Sequence, residues 1–207
     1  EASRGLARLA TRERKFDDAR ALLMTAIAEA DLAGIDYLAG VALNDLGFIA
    51  WSKGRPAEVR KFYGEAVVRF DRARAWPEQA RALRSMTFTS DMSQEEKIGL
   101  LARSAGNPRK IGDTGIEAFA LHHWGDTLFM QGSYAEAAER ITRAVELFEQ
   151  GTDKAALARA LTSLGRAHRA HGQPELALEQ YQRALALQVA AGDRTGQAQS
   201  ENAIATA

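Results

Sequence analysis

Apolar and small residues return along this chain at a fixed interval. Leu43, Leu46 and Gly47 form a pattern of two apolar positions three apart followed by glycine, and so do Leu121, Trp124 and Gly125, and Leu161, Leu164 and Gly165. Twelve residues after each glycine stands Val59, Ala137 or Ala177; four further on, Tyr63, Ile141 or Tyr181; three beyond that, Ala66, Ala144 or Ala184. The same frame moved back 40 residues from Gly47 meets Ala7, Ala19, Leu23 and Ala26; moved forward 40 from Gly165 it meets Ala205, preceded by Ile204. Asp113, Asp153 and Asp193 repeat at the same interval. The pattern divides the chain into residues 1–34, 35–74, 75–112, 113–152 and 153–192, with a half-copy at 193–207. A period in this range is the mark of a stacked repeat.

Each copy predicts two helices. Leu161, Leu164, Gly165 and His168 are spaced 3, 1 and 3, and Ala177, Tyr181 and Ala184 are spaced 4 and 3; both spacings place the residues on one helical face. Between them, Gly172, Gln173 and Pro174 predict a turn with proline at the first helical position, where its missing N–H is not needed. Pro56 and Pro77 stand at similar starts. Gly151 with Asp153, and Gly192 with Asp193, predict the links between copies, glycine ending one helix and aspartate capping the next. Two helices approach closely only where side chains are small, so the reading pairs Gly165 with Ala177 and fills the remaining space with Leu161, Leu164 and Tyr181. One hairpin leaves an apolar face uncovered, which the next copy covers.

The pattern resembles the tetratricopeptide repeat, and Trp124, Gly125, Ala137 and Ala144 carry the resemblance together with Leu161, Leu164, Gly165, Pro174, Ala177, Tyr181 and Ala184. The usual form has about 34 residues. The longer period here is similar to the repeats of kinesin light chains, spindle-orientation adaptors and many bacterial regulators. The resemblance implies an all-α, right-handed superhelical solenoid of antiparallel hairpins, about 11 helices in a single domain. Copy three departs from the frame: Thr87 replaces the glycine, Gly99 the alanine and Arg103 the aromatic residue. Its second helix begins with a predicted capping box, Ser93 with Glu96. A loop-forming run from Ala105 through Asn107 and Pro108 to Gly112 follows.

Composition supports helix and narrows function. About one residue in five is alanine, the best helix former. Formal net charge is 0, from 27 basic and 27 acidic side chains, which argues against a dedicated nucleic-acid binder. Without cysteine there is no disulfide, thiolate nucleophile or zinc–thiolate site. No apolar stretch is long enough to span a bilayer, and a cytoplasmic location is expected. The sequence starts at Glu1 rather than Met, which leads us to expect a piece of a larger protein, bacterial and regulatory.

No motif for catalysis or metal binding stands out, and neither an enzyme nor a cofactor is expected. His168 and His171 lack an accompanying carboxylate at ligand spacing, so core packing is the stronger reading. In a tetratricopeptide-like stack the first helix of each copy lines the concave side. The resemblance assigns peptide-contacting positions to the exposed face of each. In copy two these are Asn44, Phe48 and Trp51, beside Val41; in copy three, Arg81, Arg84 and Phe88, beside Asp91. Copy four presents Phe119, His122, Asp126 and Phe129; copy five, Arg159, Thr162, Arg166 and Arg169; the half-copy, Asn202. Arginine offers a flat fork for carboxylates, and aromatic and arginine side chains are the usual hot-spot types. The expected partner is a protein or peptide, an acidic or C-terminal segment with apolar anchors. The opposing reading packs the aromatics into neighbouring helices and leaves the arginines solvated. A rival functional reading is a sensor domain for an effector or signal peptide, in a bacterial transcriptional regulator or a caspase-like protease. Self-association is expected through Ile204 and Ala205.

Overall fold

The computed structural model describes residues 15–106 and 114–206. Ala7, the first helix expected before residue 15, the run from Asn107 to Gly112, and Asp113 lie outside the described residues. Ten α-helices and no strand are present among the described residues: α1 (Phe16–Leu32), α2 (Asp36–Ser52), α3 (Pro56–Arg72), α4 (Trp76–Met86), α5 (Gln94–Ala105), α6 (Thr114–Met130), α7 (Tyr134–Glu149), α8 (Lys154–Ala170), α9 (Pro174–Ala191) and α10 (Arg194–Ala205). The chain divides into two compact units, residues 1–96 and 97–207. In the first, α1 packs on α2, α2 on α3 and α3 on α4; in the second, α6 packs on α7, α7 on α8, α8 on α9 and α9 on α10.

The interval of 40 residues is built from two halves of 20. Gly34, Gly54 and Arg74 stand in the left-handed region at φ 67°, 64° and 54°, and Gly132, Gly172 and Gly192 at 85°, 78° and 67°. After each, the next N–H reaches back to a carbonyl five residues earlier: Ile35 to Ala30, Arg55 to Ala50, Ala75 to Phe70, Ser133 to Leu128, Gln173 to His168 and Asp193 to Gln188, all at 2.9–3.0 Å. This closure satisfies carbonyls that a helix end leaves without partners. A new helix follows at once, and Pro56 and Pro174 are its first residues in α3 and α9. The Asp153 and Asp193 carboxylates accept from the N–H groups of Ala156 and Gly196 at 2.9 and 3.0 Å, the caps that their spacing predicts.

Glycines on the first helices admit the large residue of the second. A β-carbon at Gly47 would sit 2.9 Å from the Tyr63 ring, and one at Gly165 2.5 Å from Tyr181 Cε1; at Gly125 it would collide with Ile141. In each hairpin the collision is with the residue 16 positions later. Of the residues expected around Gly165, Tyr181 comes nearest and fills the notch, and Ala177 is buried as well. The physical reason is volume, since a missing side chain leaves room that only a large neighbour can fill to interior density. Tyr181, Ile141 and Val59 are all almost fully buried.

Copy three breaks the rhythm. Its first helix, α4, has 11 residues where α2, α3, α6 and α8 have 17. Thr87 and Thr89 turn their hydroxyls back onto the carbonyls of Arg84 and Met86 at 2.7 and 3.2 Å, adding side-chain donors to the backbone N–H groups that close this helix end. Gly99 and Arg103, expected at packing positions, are exposed, while Leu101, Ser104 and Ala105 are buried. The inward stripe of α5 thus lies rotated from the frame of the other copies. The capping box forms: Ser93 N–H donates to the Glu96 carboxylate at 2.8 Å, and Glu96 N–H to Ser93 Oγ at 3.2 Å.

Candidate functional site

In the first unit, two clefts open beside α2. One, of about 260 Å³, is lined by Tyr37, Val41, Asn44, Asp45, Phe70, Glu78 and Arg81. Asn44 and Arg81, expected on one recognition face, meet here, flanked by two carboxylates that the spacing argument missed. Arg81 lies 3.9 Å from Glu78. Arg84 is half-buried, and burial, followed by the charge of Arg81, lowers its pKa from the ordinary value. It is less available to a partner than its position in the sequence suggested.

The second cleft, of about 130 Å³, is lined by Trp51, Gly54, Arg55, Pro56, Val59, Phe88, Thr89 and Ser90. Phe88 was expected on the helix; α4 stops at Met86 and Phe88 stands in the turn beyond it, with Asp91. The turn brings its ring to the mouth of the same cleft as Trp51. Phe48 and Trp51 have ring centroids 5.9 Å apart. Phe48, Trp51 and Phe88 are each close to half exposed, at 46%, 48% and 46%.

In the second unit the first helices α6, α8 and α10 follow one another, and side chains expected on the recognition face join them in pairs. His122 Nε2 lies 3.0 Å from Ser163 Oγ and 3.5 Å from the Asp126 carboxylate. Arg166 sits over the Phe129 ring, 4.7 Å from its centroid, and Arg169 donates to Thr206 Oγ1 at 3.0 Å. Ser163 and Thr206 were not singled out from the sequence; each becomes relevant only through a neighbour about 40 residues away. The ring of Phe119 meets Phe148 edge-on at 4.9 Å and packs against the core, as Phe129 also does beneath Arg166. Thr162 spends its hydroxyl on the Ala158 carbonyl at 3.0 Å. Asn202 is exposed on α10.

Burial, the largest influence, holds His122 below its ordinary pKa; Asp126 opposes this, while His123 and Arg159 add to it. The neutral imidazole is thus the form that fits the seam between α6 and α8. Arg159, Arg166 and Arg169 are exposed, and none has a carboxylate partner among the described residues. By contrast Arg20, Arg60, Arg69, Arg143 and Arg183 each pair with an acidic side chain. His168 Nδ1 lies 2.7 Å from Gln173 Oε1, a polar tie across the hairpin turn. No group of three metal-capable side chains gathers among the described residues, and no described helix is long and apolar enough to cross a membrane.

The fold, with its glycine-notch hairpins, is that of tetratricopeptide-like helical repeats. Residues 117–188 match the family model of that repeat, and the described chain has the tetratricopeptide-type helical fold throughout. Solved structures agree. The chain is similar to BtubC (BKLC) from P. vanneervenii, with a TM-score of 0.80 at 18% identity over 90% of this chain and 78% of that one. It is similar to a signal transduction ATPase with numerous domains from Pyrococcus horikoshii that carries a tetratricopeptide repeat sensor, at TM-score 0.80 and 15% identity, covering 98% of this chain and 31% of that one. A Rap protein complexed with competence and sporulation factor matches at TM-score 0.68 and 14% identity, over 90% and 53% of the two chains. No curated protein sequence matches significantly.

Proposed function

We propose that this chain is a non-catalytic interaction module that takes a peptide or protein segment on its first helices, within a larger, cytoplasmic, bacterial regulatory protein. The observation that carries this is the aromatic cleft of the first unit. Trp51 and Phe88 line a space of about 130 Å³, Phe48 stands beside Trp51, and all three keep close to half of their surface in solvent. Large apolar groups gathered at an opening mark a contact surface, and aromatic side chains are the usual anchors of one. The exposed arginines of the second unit supply polar contacts of the same kind. No cofactor enters this reading, and nucleic acid and membrane are not among its partners.

A second reading is favoured by two of the similar structures. One carries a repeat of this class described as a sensor, and another was solved with a bound factor. By analogy the chain would receive an effector or signal peptide and pass the change to a neighbouring domain. A contact with a second copy at Ile204, half-buried, and Ala205, exposed, completes the partner set, and sedimentation of an Ile204→Glu variant checks it.

Selection of a displayed random-peptide library against the chain tests the main reading. The unmodified chain is expected to enrich a consensus with apolar anchors. Trp51→Ala together with Phe88→Ala is expected to lose that enrichment while helicity and melting hold. Equal enrichment by both proteins, or none by either, would count against the module.

A further inference from the structure

We infer that α8 reads an acidic segment lying extended along it, with two carboxylates three residues apart; this rests on the interaction-module reading and names its ligand chemistry. Between Lys154 and Ala170 the helix carries Lys154, Arg159, Arg166 and Arg169 and no aspartate or glutamate. The three arginines follow a spacing of seven and three residues, which keeps them on one face. All three are exposed. Two are positioned without being neutralised: Arg166 by the Phe129 ring at 4.7 Å and Arg169 by the Thr206 hydroxyl at 3.0 Å. Arg159 has neither a hydrogen bond nor an ion pair among the described residues. The flanking first helices carry Glu117, whose charge acts on Arg143 of α7, Asp126, drawn toward His122 at 3.5 Å, and Glu201, exposed on α10. None of them is an ion-pair partner of the row among the described residues.

Pre-set, unneutralised guanidiniums fit anions, because an external carboxylate gains charge-assisted hydrogen bonds without first breaking an internal pair. Helix geometry then sets the spacing. Arg159 and Arg166 are about 10.5 Å apart along the helix axis at 1.5 Å per residue. In a segment extended as polyproline II, with about three residues per turn and a rise of about 3.1 Å each, carboxylates three residues apart lie on one side, about 9 Å apart. Arg166 and Arg169, separated by about 4.5 Å on the same axis, can fork a single carboxylate. Phe129 lies beside that fork and gives an apolar side chain of the segment a surface. A polyphosphate would call for a wide basic field, whereas the net charge of this chain is 0; an acidic peptide needs only the row.

Fluorescence-polarisation titrations of the 207-residue chain with labelled, end-blocked peptide pools of randomised flanks test this. One pool fixes Glu-x-x-Glu, a second Gln-x-x-Gln, a third two adjacent glutamates; a single-stranded oligonucleotide is the fourth probe. The Glu-x-x-Glu pool is expected to bind about tenfold tighter than its Gln counterpart, with the preference shrinking as salt rises. Arg159→Gln or Arg166→Gln is expected to remove that preference while leaving helicity and melting unchanged. Equal binding of the Glu and Gln pools overturns the inference and leaves the module standing, since peptides still bind. A preference for adjacent glutamates, or tighter binding of the oligonucleotide, also overturns it. No binding by any pool removes both readings.

Discussion

Tyr181 shows what a single position carries. Its ring fills the notch left by Gly165 and none of its surface is exposed. Its hydroxyl is buried and has no hydrogen-bond partner among the described residues, and burial raises its pKa. The ring stabilises and the hydroxyl does not, so the two can be separated. Tyr181→Ala is expected to cost about 3–5 kcal/mol, as for other large-to-small changes in a core. Tyr181→Phe is expected to stay within about 1 kcal/mol of the natural chain or to exceed it, because it removes a desolvated polar group. Urea unfolding of both variants checks the pair. A loss below about 0.5 kcal/mol for the alanine would place Tyr181 at the surface. The Gly165 notch was legible in the sequence as a constant offset between glycine and a large residue. How closely the ring enters it was not, because Ala177 and Tyr181 share one helical face and only the approach of the two helices sets which comes nearest.

Among the elements, six of the described links between helices turn through a left-handed residue, and the one of these that is not glycine is informative. Five of the six left-handed positions among the described residues are glycine, and the sixth is Arg74 at φ 54°. A side chain there costs about 1–2 kcal/mol relative to glycine, partly offset by the greater freedom glycine has in the unfolded chain. Arg74→Gly is expected to stabilise the first unit by about 0.5–1 kcal/mol, read as a higher melting temperature. The seam between α6 and α8 makes a second prediction. Burial holds His122 neutral when folded, whereas an unfolded chain protonates it near pH 6.5. Below that pH the unfolded state binds a proton that the folded state resists, so stability falls as pH drops from about 6.5 through the lowered folded pKa. The second unit is expected to melt earlier at pH 5 than at pH 7, and His122→Gln is expected to flatten that slope. Thermal melts followed at both pH values decide it. The His122 and Asp126 pair was readable as a helical spacing; Ser163, its closest polar neighbour, was not, because it belongs to another copy.

For the molecule as a whole, stacked hairpins make stability a matter of neighbours. The α9 ring of Tyr181 packs on α8, and α10 packs on α9. Hydrogen exchange on Tyr181→Ala is therefore expected to show loss of protection in α8, α9 and α10 before α6 and α7, with the first unit unaffected. Loss spread evenly over all helices would contradict nearest-neighbour stacking. The division into units at residues 96 and 97 falls in copy three. There the sequence frame already failed at Thr87, Gly99 and Arg103, and α4 is short. Phe88 gains its place from that failure: a continued helix would have aligned it with Arg81 and Arg84, but the threonine-ended turn sends it to the cleft with Trp51.

By itself the sequence determined the helical class, the interval of 40, the hairpin notches, the capping aspartates and the absence of cysteine chemistry. Those features are local or periodic, and helical geometry converts spacing directly into faces. Only the tertiary structure decided that Phe119 meets Phe148 and Phe129 holds Arg166, that Arg169 reaches Thr206, and that Asn44 and Arg81 share a cleft with Asp45 and Glu78. These pairings join residues from different helices. Their partners are set by how one hairpin lies on the next, a distance in space that no spacing along the chain encodes.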